Sequence, residues 1–297
     1  MSHIDYPLTD HDTIIERLTY LTNNENDVTH LNLAGANIND RIAIVLAKFL
    51  ASEKCVVTDL NLMNNSLASL EFATCIANTI ANNRSIVNLN LADNAVWMDV
   101  YTCTANLEEF VIHLAKAIVD HPCIKTIDLS NNSLHKSMAA FAIHKPKSLK
   151  HLNLTGNRYM DRTNLGYLFE NCKLTSINLS RMEIGYIFSS IESSIVANRS
   201  LLKVDYEFYP SVCSVQKNEE VKSNIELMLL LNRKAHRAAI NAALCLIAIR
   251  KFRVNECGLL GLVPKELVLM MARLVQASYR DDEWRLAVAS PNKKIRL

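Results

Sequence analysis

Glycine and proline are scarce in this 297-residue chain, six of each. That scarcity disfavours an all-β fold, whose many turns draw on both residues, and it disfavours phosphate-cradling loops. Net charge is nearly absent too: 32 basic against 30 acidic side chains leave a formal +2. Such a balance gives no support to a dedicated DNA or RNA binder. Cysteine occurs eight times, at Cys55, Cys75, Cys103, Cys123, Cys172, Cys213, Cys245 and Cys257, but never as C-x-x-C. The usual zinc spacings and a dense disulfide scaffold are thereby excluded. The longest apolar run, Ile240 to Ile249, is broken by Asn241 and too short to span a bilayer. The opening Met1-Ser2-His3-Ile4-Asp5-Tyr6-Pro7 has no basic region followed by an apolar stretch, so no ordinary secretory signal is expected. The cysteines therefore read as reduced, buried, small hydrophobes in a cytoplasmic protein.

What is present is a hydrophobic fraction of 49%, enough for a substantial core, and a repeat. Apolar-x-x-apolar-x-apolar-x-x-Asn-x-apolar runs through Val57, Leu60, Leu62, Asn65, Leu67 and again through Ile86, Leu89, Leu91, Asn94, Val96. It returns as Ile124, Ile127, Leu129, Asn132, Leu134 and as Leu149, Leu152, Leu154, Asn157, Tyr159. Weaker copies start at Val28, with Ala36 in the asparagine slot, and at Leu174, with Met182 there. A decayed copy is Leu201, Val204, Tyr206. Successive copies begin 29, 29, 38, 25, 25 and 27 residues apart. The two central apolar residues are two apart and share one face of a short strand. The stretches Arg41–Ser52, Leu70–Asn82, Leu107–Asp120 and Gly185–Asn198 carry apolar residues at helical spacing. One strand and one helix cannot bury an apolar face alone, but stacked copies share a core. The asparagine, placed where the chain leaves the strand, is expected to bond backbone groups of its own and the next copy as a ladder.

These residues resemble the leucine-rich repeat family, and the longer copies look like its ribonuclease-inhibitor-like branch. The irregular, asparagine-rich style is also similar to leucine-rich-repeat effectors of intracellular bacteria such as Legionella. The resemblance implies an α/β horseshoe of about seven strand–helix copies over residues 28–211, preceded by an N-terminal capping helix within residues 1–27. It also implies a non-enzymatic protein, monomeric when unbound, that grips one folded partner on its concave face. Inhibition of a partner enzyme by covering its active site is the finer implication, and translocation into a host cytosol accompanies the effector likeness. Residues 212–297 read as an all-helical domain of net charge +7, against −5 for residues 1–211.

Alternation along the strands writes out the concave columns. The middle column is Asn32, Asn61, Asn90, Asp128, Asn153, Asn178, Asp205; before it run His30, Asp59, Asn88, Thr126, His151, Ser176, Lys203. After it run Ala34, Met63, Ala92, Ser130, Thr155, Ser180, Glu207. The 38-residue copy carries an insertion with Trp97, Met98 and Tyr101, and Arg158, Tyr159, Arg162 and Arg181 follow later strands. Trp, Tyr, Met and Arg dominate interface hot spots. The expected partner-binding set is Asn61, Met63, Asn90, Trp97, Met98, Tyr101, Asp128, Asn153, Arg158, Tyr159, Arg162, Asn178, Arg181 and Lys203. The basic cluster Arg233, Lys234, His236, Arg237 reads as a solvated helix face. Val263, Pro264 and the stretch to Leu274 are loosely similar to the opening helix of F-box motifs, which makes a ubiquitin-ligase adaptor the alternative function. Phosphate-loop, nucleophile-elbow and H-E-x-x-H signatures are missing, and His30 and His151 stand four copies apart. No catalytic residue, cofactor or metal site is expected, and Cys103 is placed in the inserted loop without an activating base.

Overall fold

The computed structural model describes residues 3–5, 10–65, 70–94, 103–134, 137–157, 162–182, 194–195, 198–206 and 222–238. Strands and helices alternate: β1 (His3–Asp5), α1 (His11–Asn23), β2 (His30–Asn32), α2 (Asp40–Leu50), β3 (Asp59–Asn61), α3 (Leu70–Asn82), β4 (Asn88–Asn90), α4 (Cys103–Ala117), β5 (Thr126–Asp128), α5 (Met138–His144), β6 (His151–Asn153), α6 (Arg162–Asn171), β7 (Ser176–Asn178) and β8 (Lys203–Asp205). The eight strands form one parallel sheet in sequence order. All seven repeat copies place their strand where the apolar pattern puts it, as β2 to β8. The structure adds an eighth unit ahead of them. Residues 1–27 hold β1 as well as the expected helix, and β1 pairs with β2 in the same register.

Repeat length is read out as helix length. The 29-residue copies carry α2 and α3 of 11 and 13 residues, whereas the two 25-residue copies carry α5 and α6 of 7 and 10. In the longest copy α4 grows to 15 residues and opens at Cys103. Cys103 therefore starts a helix and does not lie in the inserted loop: part of the insertion lengthens the helix. Side-chain caps set two helix starts. Asp10 accepts from the Asp12 N–H ahead of α1 and Asn39 from the Ile42 N–H ahead of α2, satisfying donors that the first turn leaves open. The exposed Asp10 carboxyl is held below the usual carboxylate range, chiefly by the Thr13 hydroxyl.

One core runs between sheet and helices, from Ile14 of α1 to Leu229. Each of β2 to β8 contributes its central residue (Leu31, Leu60, Leu89, Ile127, Leu152, Ile177, Val204), all buried. The helices contribute Phe49, Phe110, Phe141 and Phe169, all buried, each of the size whose truncation costs about 3–5 kcal/mol. Strands stand about 4.8 Å apart while packed helices need about 8–10 Å. A single-layer stack can satisfy both spacings only by bending with the sheet on the inside.

The chain divides into two compact units, residues 1–229 and 230–297. Residues 222–238 are helical, as the all-helical reading of residues 212–297 expects of this stretch. Its Ile225, Met228 and Leu229 belong to the core of the first unit, and Arg233, Lys234, His236 and Arg237 are exposed. The F-box-like stretch and the remaining C-terminal helical stretches lie outside the described residues. No helix among the described residues is long and apolar enough to cross a membrane.

Candidate functional site

The face of the sheet turned away from the helices carries the columns that alternation assigns. Register pairs His30, Asp59, Asn88, Thr126, His151, Ser176 and Lys203 in one row, and Asn32, Asn61, Asn90, Asp128, Asn153, Asn178 and Asp205 in the next. The first row is cross-linked by its own side chains. Asn88 Nδ2 donates to Asp59 Oδ1 at 2.6 Å, His30 Nε2 lies 3.4 Å from Asp59 Oδ2, and His151 Nδ1 sits 2.8 Å from Ser176 Oγ. Lys203 Nζ is 2.6 Å from Asp205 Oδ2.

The middle row has a local duty that the sequence reading did not assign. From Asn32 to Asn178 each side chain accepts the backbone N–H two residues on: Asn32 from Ala34, Asn61 from Met63, Asn90 from Ala92, Asp128 from Ser130, Asn153 from Thr155 and Asn178 from Ser180, at 2.8–3.1 Å. Amides also bridge strands, Asn61 Nδ2 to Asn32 Oδ1 at 2.9 Å and Asn153 Nδ2 to Asp128 Oδ2 at 2.8 Å. The oxygens of these side chains are therefore spent on the turn after the strand, and the amides of Asn61 and Asn153 are spent on their neighbours. The third row offers less than expected. Ala92 and Ser130 are buried and Met63 is half-buried.

Beneath this face lies a second, hidden set of asparagines. Asn65, Asn94, Asn132 and Asn157 are no more than 2% exposed. Asn94 Oδ1 accepts the Asn65 N–H at 2.9 Å, Asn132 Oδ1 the Asn94 N–H at 2.7 Å, and Asn157 Oδ1 the Asn132 N–H at 3.2 Å. Their amides donate back to the strand carbonyls, Asn94 to Leu62, Leu91 and Ala92, and Asn157 to Leu129 and Leu154. At either end of the ladder Ala36 and Met182 are fully buried in the same slot. Repeat and parallel register coincide at every step from β2 to β8, and the buried ladder joins the four central copies. This is a leucine-rich-repeat solenoid.

No protein-family model matches the sequence, and no curated protein matches it. Among solved structures, the leucine-rich repeat-containing protein LegL7 from Legionella pneumophila is similar, at 19% identity, covering 75% of this chain and 69% of that one with a TM-score of 0.49. The tropomodulin C-terminal domain from Caenorhabditis elegans is 15% identical over 57% of this chain and 96% of that one, TM-score 0.41. Leiomodin-1 actin-binding site 2 is 16% identical over 78% and 94%, TM-score 0.35.

Within the solenoid, the structure brings Asn61, Asn90, Asp128, Asn153, Asn178 and Lys203 onto one continuous face, with Met63 at its edge. Arg181 stands just past β7, exposed, with φ 55°. Gly35, Asn64, Asp93, Asn131 and Gly156 occupy the same slot after their strands, all with positive φ. Arginine is the odd member of a row of left-handed residues. Arg162 opens α6, while Trp97, Met98, Tyr101, Arg158 and Tyr159 lie outside the described residues. Sequence reasoning missed the helix-to-strand turns, where Asn83, His121 and Asn198 are buried and each accepts two following backbone N–H groups. Asn83 and Asn198 also donate to Leu50 and Phe169 carbonyls, whereas His121 Nε2 is buried without a hydrogen bond of full geometry among the described residues. Burial lowers the His121 pKa, with Arg84 and Lys125 adding to the depression and the Asn83 backbone opposing it.

Cys55, Cys75, Cys123 and Cys172 are free thiols. Burial pushes Cys172 up to about 12 and raises Cys55, the opposite of what a nucleophile needs. No three His, Cys, Asp or Glu side chains among the described residues are grouped to hold a metal.

Proposed function

We propose that this chain is a protein-binding module which grips one folded partner protein across the strand face and inhibits a partner enzyme by covering its active site. The observation that carries this reading is the strand face itself: rows of polar side chains, pinned in place by one another and by the backbone. Side chains already fixed before contact lose little conformational entropy on binding, and a curved sheet offers an area of interface size. Asn61, Asn90, Asp128, Asn153, Asn178 and Lys203 form the contact field, with Arg181 beside it. Trp97, Met98, Tyr101, Arg158, Tyr159 and Arg162 supply hot-spot side chains at its rim. In the effector setting that the resemblance implies, the partner is a host protein or a sister effector.

The test is capture on the immobilised chain, followed by assay of the captured protein with and without an equimolar amount of this chain. Loss of the captured protein's activity supports inhibition, and binding without loss reduces the role to scaffolding. Introducing Asn90→Arg and Asn153→Arg together should weaken capture at least tenfold. Full capture by that double variant would rule out the strand face. Trp97→Ala and Arg158→Ala should each weaken affinity about tenfold, the scale of a single hot-spot residue; unchanged affinity in both would remove the rim from the site.

A further inference from the structure

The turns that lead into the strands differ in charge: acidic ahead of β2, a lone Arg84 ahead of β4, Asp120 with Lys125 ahead of β5, and cationic from β6 to β8. Ahead of β2 the turn holds Glu25 and Asp27 and no cation, and ahead of β3 Glu53 and Lys54 balance. Ahead of β6 the turn holds Lys145, Lys147 and Lys150 with no anion. Ahead of β7 comes Lys173, and ahead of β8 comes Arg199, again with no acidic neighbour in the turn. Backbone bonds lock these turns side by side. The Lys150 N–H donates to the Lys125 carbonyl, the Thr175 N–H to the Lys150 carbonyl and the Leu202 N–H to the Thr175 carbonyl, each at 2.8 Å. Lys147 is held by Asp120 at 2.7 Å and Lys203 by Asp205 at 2.6 Å. Lys145, Lys150, Lys173 and Arg199 have no acidic partner among the described residues, and all but half-buried Lys150 are exposed.

Four cations gathered on three locked turns repel one another, and an incoming carboxylate relieves that repulsion. We infer that this edge docks an acidic polypeptide segment of the partner protein, which continues onto the strand face past His151 and Ser176. The inference rests on the protein-binding reading and names the chemistry of the ligand. A short acidic segment fits because three adjacent strands span only roughly 10 Å. A longer polyanion, such as a nucleic acid duplex or an anionic membrane, would run on into the remainder of residues 1–211, which carry 22 acidic and 17 basic side chains.

A fluorescein-labelled deca-glutamate peptide, followed by anisotropy with the intact chain at low salt, provides the test. The variant Lys150→Gln/Lys173→Gln/Arg199→Gln should bind at least tenfold more weakly. A control, Arg17→Gln/Lys48→Gln/Lys116→Gln, removes the same charge from exposed helix positions and should stay within twofold of the parent. Affinity of the parent should fall steeply as salt is added, and Lys150→Arg/Lys173→Arg should retain it. Equal losses in edge variant and control, no binding by the parent, or tighter binding to phosphatidylserine vesicles or duplex DNA than to the peptide would each overturn the inference. A captured partner that holds the edge variant at full strength but loses the strand-face variant would overturn the docking edge and leave protein binding standing. Peptide binding confined to this edge, with capture indifferent to the strand-face variant, would do the reverse.

Discussion

Four residues separate Asn61 from Asn65, Asn90 from Asn94 and Asn153 from Asn157, yet the two rows answer to different physics. The outer row is half-buried: its oxygens accept the backbone N–H two residues on, and the Asn61 and Asn153 amides bridge to side chains of the neighbouring strand. The inner row is sealed and has every polar atom committed to backbone groups of two neighbouring repeats. Water can replace a lost bond in the first row and cannot reach the second. One residue type therefore serves recognition at one offset and cohesion at another, and only burial distinguishes them.

The largest effect should come from the inner row. Asn94→Leu keeps the branched skeleton but strands the Asn65 N–H and the Leu62 carbonyl, while the Leu91 carbonyl keeps its bond from Asn132. At about 1–3 kcal/mol per unsatisfied buried group, the loss should reach about 3–4 kcal/mol in urea unfolding. A loss below about 1 kcal/mol would mean that water enters the ladder.

His121→Asn comes next and sharpens the comparison, because it installs the residue that Asn83 and Asn198 use in the equivalent turn. A gain of about 1 kcal/mol is expected from the added carbonyl bond. The pH dependence should change as well. The folded pKa of His121 lies below its ordinary value of 6.5, so above that pH both folded and unfolded states are neutral. As pH falls below it, the unfolded chain takes up a proton that the folded chain resists, and stability drops. Urea titrations from pH 7.5 to 5 should show this decline in the parent and a shallower one in the variant. Parallel curves would dismiss His121 as its source.

Arg181→Asn should stabilise by about 0.5–1 kcal/mol, since asparagine tolerates the left-handed region better. If it also weakens capture of the partner, the arginine is held there for contact at the expense of backbone strain. Asn178→Ala should be the mildest, about 0.5 kcal/mol, because the freed N–H belongs to Ser180, which is half-buried and within reach of solvent. A cost rivalling that of Asn94→Leu would erase the distinction between the rows.

Much of this could be read from spacing. Apolar residues two apart placed β2 to β8, with an asparagine three further on in the four central copies, and alternation alone put Asn61, Asn90, Asp128, Asn153 and Asn178 in one row. The missed strand β1 has a reason: residues 3–5 carry one core-type residue, Ile4, and no asparagine follows, so nothing periodic marks them. They become a strand because β2 offers an unpaired edge. Helices α5 and α6 escaped notice because at 7 and 10 residues they are too short for a helical period to stand out. The edge lysines of the last turns are separated by 23 and 26 residues in the chain, and only stacking makes them neighbours.

The amino-acid order by itself determined the repeat, the strand positions and which residues alternate outward, because these follow from local spacing and from the need to bury one face. Tertiary structure decided which asparagines are hidden and which are wet, that His121 stands in for an asparagine with one nitrogen short of a full hydrogen bond, and that cations from separate repeats crowd one edge. Those outcomes depend on what the neighbouring repeat brings within a few ångströms, and no single repeat contains that information.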